Sequence, residues 1–222
     1  MLSRILLALS LVLLVTSLAL IFFVVPTERT MGVVQRIFYW HVPLAWNSFL
    51  AFFVVFIASV AYLWKRTKNW DILASASAEV GVVFTTLFLI SGSIWAKPIW
   101  GVWWTWEPRL TTALVLWLIY IAYLLVRAYA SSSERGARFA AVVGIVGFLD
   151  VPIVFLSITL WRTQHPSAVI FTGGLADPRM ILTLVVSIFT FTALYALLLV
   201  QRVAFKKGEE DLRRLKRLAE SE

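Results

Sequence analysis

Apolar residues fall into six long, nearly unbroken stretches along this 222-residue chain, separated by short polar or aromatic intervals. The stretches lie near Ile5–Val25, Val42–Trp64, Ile72–Trp95, Arg109–Tyr129, Arg138–Leu160 and Arg179–Val203. Each matches the roughly 20 residues of helix that cross a hydrocarbon core. The pattern therefore predicts an all-α polytopic membrane bundle of six transmembrane helices. The first stretch resembles a signal peptide only superficially. Its apolar run is too long and no small-x-small cleavage site follows, so it is read as an uncleaved helix.

Composition supports this class. Hydrophobic residues make up 61% of the chain and charged residues 14%, a balance that suits a chain whose solvent is lipid. The absence of cysteine excludes disulfides, thiolate zinc sites, iron–sulfur ligation and the CxxCH motif for covalent heme attachment. A net charge of +8 would point to nucleic acid in a soluble protein, but here its placement says otherwise. Fourteen of the 20 Lys and Arg residues fall at the N-terminus (Arg4), in the Trp64–Asp71 connector (Lys65, Arg66, Lys68), about the end of the fourth stretch (Arg127, Arg135, Arg138), or from Arg202 onward. By the positive-inside rule both termini are cytoplasmic, and no nucleic-acid partner is expected.

The connectors on the two sides differ in character. Those assigned to the cytoplasm are short and polar, whereas Pro26–His41, Ala96–Pro108 and Trp161–Pro178 are longer and rich in aromatic residues. Elaborate connectors are where function concentrates. No internal repeat is visible, so residues 1–222 read as one six-span domain, with 203–222 as a basic cytoplasmic tail. Leu212, Leu215 and Leu218 recur at helical spacing in that tail, which allows a surface-lying helix; a solvated charged tail is the expectation.

Candidate chemistry lies on the outer side. The chain has two histidines, His41 in "FYWHVPLAW" at the mouth of the second span and His165 in "WRTQHPSAV", both in outer connectors. An inert interfacial ring is the ordinary reading of a lone histidine. Two on one face, flanking a Trp-rich connector, point further. A zinc site needs three or four ligands, which two histidines do not supply. Heme iron takes one axial donor on each face, which two imidazoles from separate connectors suit. Indole rings pack against a flat macrocycle, and Arg36, Arg109 and Arg162 are available for its propionates.

Trp95, Trp100, Trp103, Trp104 and Trp106 crowd one short segment, "IWAKPIWGVWWTWEPRLTT", more than an interfacial aromatic belt requires. Pro98 and Pro108 suit helix starts, so a short interfacial helix is predicted over Ile99–Trp104. Were it to continue, Trp100, Trp103, Trp104 and Glu107 would share one face. Glu79 and Asp150 lie inside predicted spans. Glu79 is near enough to a helix end to reach the interface, and Asp150 is open between a packing role and one near a ligand. Ala140, Gly144 and Gly147 read as a close-packing series.

With these residues in hand, "WGVWWTWEPRLTT", the six-span layout and the flanking "YWHVPLAW" and "TQHP" contexts resemble the CcmC family, heme-handling membrane proteins with a tryptophan-rich "WWD" signature. The likeness covers nearly the whole chain. It implies non-covalent binding of heme b at the outer face, with His41 and His165 as axial iron ligands. It also implies a platform of Trp100, Trp103, Trp104, Trp106, Glu107 and Arg109, with Arg36 matching a family arginine. It further implies delivery of heme to the periplasmic chaperone CcmE, work beside CcmD and the ATPase pair CcmA and CcmB, and residence in the bacterial inner membrane. Glu107 departs from the usual Asp, which bears on any role needing a fixed carboxylate position.

The resulting expectation is a heme-delivery protein in cytochrome c maturation rather than an enzyme. The alternative is a b-type heme electron-transfer subunit, which would also use two histidines. A heme-free permease is a third reading, with little in the sequence to favour it.

Overall fold

A computed structural model describes residues 1–129, 134–161, 164–165 and 177–220, apart from the side chains of Arg214 and Arg217. It is an all-helical bundle. The helices are α1 (Leu2–Ala19), α2 (Phe38–Lys65), α3 (Lys68–Trp100), α4 (Pro108–Tyr129), α5 (Glu134–Phe148), α6 (Asp150–Leu160) and α7 (Pro178–Ala219). A π-turn, Leu20–Val24, ends α1, and a 3-10 turn, Val33–Ile37, leads into α2. Taking α5 and α6 together, six helical segments are long and apolar enough to cross a membrane, so the chain is a multi-pass membrane protein.

The α2–α3 hairpin is the centre of the bundle, with α4, α5 and α7 packed around it and α1 lying on α7. Lipid offers helices no hydrophobic drive to associate, so close approach and buried hydrogen bonds hold them together. Phe52 stacks on Tyr120 with ring centroids 3.6 Å apart. Ser77 Oγ donates to the Ala51 carbonyl at 2.8 Å and pairs with the Tyr195 hydroxyl at 2.8 Å, tying α2, α3 and α7. Ser17 and Ser187 pair at 2.9 Å between α1 and α7. The small-residue series on α5 behaves as predicted. A Cβ on Gly144 would lie 3.0 Å from Ser59 Oγ and Val55 Cγ1, and one on Gly147 would lie 2.6 Å from Ile119 Cγ2.

Several boundaries differ from the sequence reading, each for a local reason. The fifth span is two helices, because Pro152 has no N–H to bond the Phe148 carbonyl and the ladder breaks at Leu149. Pro98 starts no new helix. It sits in the last turn of α3, where it removes the N–H that would bond the Ile94 carbonyl, and the helix ends shortly after at Gly101, whose φ is 76°. Gly101 N–H donates to the Lys97 carbonyl at 3.0 Å, and Lys97 Nζ donates to the Gly101 carbonyl at 2.8 Å. The shared helical face expected for Trp100, Trp103, Trp104 and Glu107 therefore does not form. The charged tail is exposed and helical, since α7 runs unbroken over 42 residues, or about 63 Å at 1.5 Å per residue.

The end of the bundle that holds the α2–α3 turn is ionic. Glu79 accepts from Arg202 and lies 2.7 Å from Lys206 Nζ, so this carboxylate fastens α3 to α7. Asp71 is buried between Arg127 at 3.0 Å and Lys68 at 3.1 Å. Asp150 stands at the α5–α6 break, 9% exposed, with Oδ2 making no hydrogen bond among the described residues.

Candidate functional site

The opposite end of the bundle holds a cleft walled by α2, α3 and α4. It encloses about 650 Å³ of atom-free space, counted to its open mouth. Three connectors far apart in sequence contribute to it: Met31 before α2, Trp104 before α4, and His165 after α6. His41 and Arg109 enter from the first turns of α2 and α4. The other lining side chains are apolar, apart from Ser93 and the indole nitrogens.

His41 lies one turn inside α2 rather than before it, because the 3-10 turn over Val33–Ile37 carries the chain straight into the helix. The imidazole is 7% exposed and closely packed on α3. Phe88 lies against it at a centroid distance of 4.8 Å, and Trp95 meets it edge-on at 5.6 Å. Gly92 leaves room for the ring, since a Cβ there would fall 2.9 Å from His41 Cε1. His41 Nδ1 is 3.1 Å from Ser91 Oγ, so the polar side of the ring that faces α3 is engaged. His165 lines the same cleft.

The remaining predicted residues divide into two groups. Trp100, Trp104 and Arg109 line the cleft beside the two histidines. Trp103 and Trp106 do not; they are 57% and 76% exposed. Lys97 sits over the Trp103 ring at 5.9 Å, and Trp106 packs edge-on against Trp104 at 5.9 Å. Arg36 lies over the Phe22 ring at 5.9 Å and is absent from the cleft lining. Glu107 joins the two halves of the site: its Oε2 accepts the backbone N–H of Gln164 at 2.7 Å, next to His165. Arg162 lies outside the described residues.

Sequence reasoning missed Trp95, Met31 and Gly92. Trp95 was counted in the Trp-rich run but given no role, because its ring is placed by the end of a helix expected to stop there. Met31 carries no motif. Glu28 accepts from the N–H of Thr30 at 2.8 Å and of Met31 at 2.5 Å, and this turn carries Met31 to the cleft.

The chemistry available is narrow. No cluster of three or more His, Cys, Asp or Glu forms a metal cage among the described residues. The cleft instead offers two imidazoles in apolar walls, with donors at Trp95 Nε1, Trp104 Nε1 and Arg109 Nε that are buried without a hydrogen-bond partner among the described residues. Arg109 Nη1 is spent on the Val154 carbonyl at 3.2 Å. Buried donors without acceptors cost free energy, so such a lining suits a largely apolar ligand bearing a metal and a few anionic or acceptor groups.

Comparison with known proteins gives a consistent picture. The family model described as CcmC, heme exporter protein C, matches residues 1–217. The chain is 37% identical over 175 residues to heme exporter protein C of Bradyrhizobium diazoefficiens, which covers 78% of this chain and 66% of that protein. Heme exporter protein C of Haemophilus influenzae is 34% identical over 192 residues, 85% of this chain and 78% of the relative. A putative cytochrome c biosynthesis ccmC-like mitochondrial protein of Marchantia polymorpha is 34% identical over 147 residues, 66% of this chain and 62% of the relative.

Proposed function

The chain belongs to the CcmC family, and from that premise we propose that it binds heme b non-covalently at the extracytoplasmic rim of the bacterial inner membrane and delivers it to the periplasmic chaperone CcmE during cytochrome c maturation. The observation that carries this reading is the meeting of His41 and His165 in one apolar cleft with Trp100, Trp104 and Arg109. Heme is cargo in this account. The protein retains it and releases it, and makes or breaks no covalent bond of the macrocycle.

His41 and His165 would hold the heme iron, each through a ring nitrogen. They come from separate elements, so one can let go while the other still holds. Trp100 and Trp104 present ring surface to the macrocycle, joined by Trp95. Arg109 and the unpartnered indole N–H groups meet the propionates, where burial strengthens a charge-assisted bond. Trp103 and Trp106 stand outside the cleft and face the acceptor. CcmD and the ATPase pair CcmA and CcmB are the partners, and both termini lie in the cytoplasm, in keeping with the placement of fourteen of the 20 basic residues.

The reading is tested by loading the full chain with heme in lipid nanodiscs, mixing it with purified apo-CcmE and following the heme spectrum. Heme should move to the chaperone within the reaction. Heme that never leaves, yet is reduced rapidly by a quinol analogue, would favour an electron-transfer subunit instead.

A further inference from the structure

A histidine can ligate a metal through one ring nitrogen only if the proton sits on the other. Ser91 governs that choice at His41. Ser91 Oγ donates its single proton to the Phe88 carbonyl at 3.0 Å, one turn back in α3. The same Oγ lies 3.1 Å from His41 Nδ1. While that bond holds, the hydroxyl turns lone pairs toward the ring, an arrangement that favours Nδ1 as the donor. This neighbour of the ring therefore favours Nδ1–H.

The steric setting fixes the same orientation. Gly92 follows Ser91 in α3 and lies under the imidazole, with its missing Cβ 2.9 Å from Cε1, 3.5 Å from Nδ1 and 3.9 Å from Nε2. Phe88 and Trp95 hold the ring from two further directions. Rotating the ring to exchange its nitrogens would break the Ser91 contact within this packed shell.

We propose that Ser91 and Gly92 are positioning residues for His41: Ser91, through the Phe88 carbonyl, keeps the proton on Nδ1, and Gly92 admits the ring at the depth where Nε2 faces the cleft. The proposal rests on the heme-binding reading for what Nε2 receives. Its physical content, the tautomer and the pose, belongs to the chain alone. Outer-shell partners of this kind tune metal affinity by about 10- to 100-fold.

The experiment uses the full chain labelled with [15N]histidine, in which two imidazoles give two sets of resonances. Wild-type protein without heme should show His41 as the Nδ1–H tautomer. Ser91→Ala should shift it toward Nε2–H, and Ser91→Thr should restore it. After heme addition, Ser91→Ala and Gly92→Ala should each weaken retention by at least about tenfold. Ser91→Ala should also move the heme reduction potential, with Ser91→Thr returning it toward wild type. A wild-type His41 with its proton on Nε2, or a Ser91→Ala variant unchanged in both tautomer and potential, would overturn the proposal. If wild type shows Nδ1–H but takes up no heme, the heme reading fails while the Ser91 relay stands.

Discussion

The bond from the Gln164 backbone N–H to Glu107, at 2.7 Å, puts a carboxylate of the Trp-rich connector in charge of the residue beside His165. If His165 serves as a ligand, as proposed, this bond would help to hold it in place. Glu107→Ala should weaken heme retention severalfold in an equilibrium titration, whereas Glu107→Gln, which keeps an acceptor oxygen, should stay closer to wild type. Equal losses in the two variants would mean that the charge matters rather than the bond. At this scale the sequence was partly legible. His41, His165, Trp100, Trp104 and Arg109 stand out by type and spacing. The outer-shell residues do not: a serine and a glycine in a greasy helix carry no motif until α2 brings an imidazole against them. Trp103 and Trp106 could not be separated from Trp100 and Trp104 on spacing, because the helix end at Gly101, not the count of residues, turns them outward.

The helices themselves were read well because a membrane span is set by length and hydrophobicity, and both are local properties. Their ends were read less well. Pro98 is tolerated in a last turn, Pro152 breaks a span, and charged residues past Val203 do not stop α7, which borrows stability from Glu79 on α3. Each outcome depends on a neighbour in space or on position within the helix. Close approach of α5 is the element-scale claim most open to test. Gly147→Val places a branched side chain where even a Cβ would lie 2.6 Å from Ile119 Cγ2. It should cost about 1–3 kcal/mol in reversible detergent-denaturant unfolding. Val146→Ala, whose side chain is 57% exposed to lipid, should cost far less. Similar losses at the two positions would remove the close-packing account of this helix.

For the molecule as a whole, the two ends do different work. One end is pinned by ion pairs among α3, α4 and α7, and the other gathers three connectors around a cleft. Basic residues favour the ionic end, which is why that end is assigned to the cytoplasm. The chain has no cysteine, so an introduced thiol is a unique reporter. A membrane-impermeant maleimide applied to intact spheroplasts should label Val102→Cys and spare Lys65→Cys until the cells are lysed. The reverse pattern would invert the topology and place the cleft on the wrong side for periplasmic delivery.

The central claim, that the two histidines hold one heme between them, is met most directly by the absorption spectrum of the purified full chain with heme b. Wild type should give a six-coordinate low-spin spectrum, and His41→Ala or His165→Ala should each convert it to a five-coordinate form or lose the heme. A double alanine variant that keeps the wild-type spectrum would contradict the account.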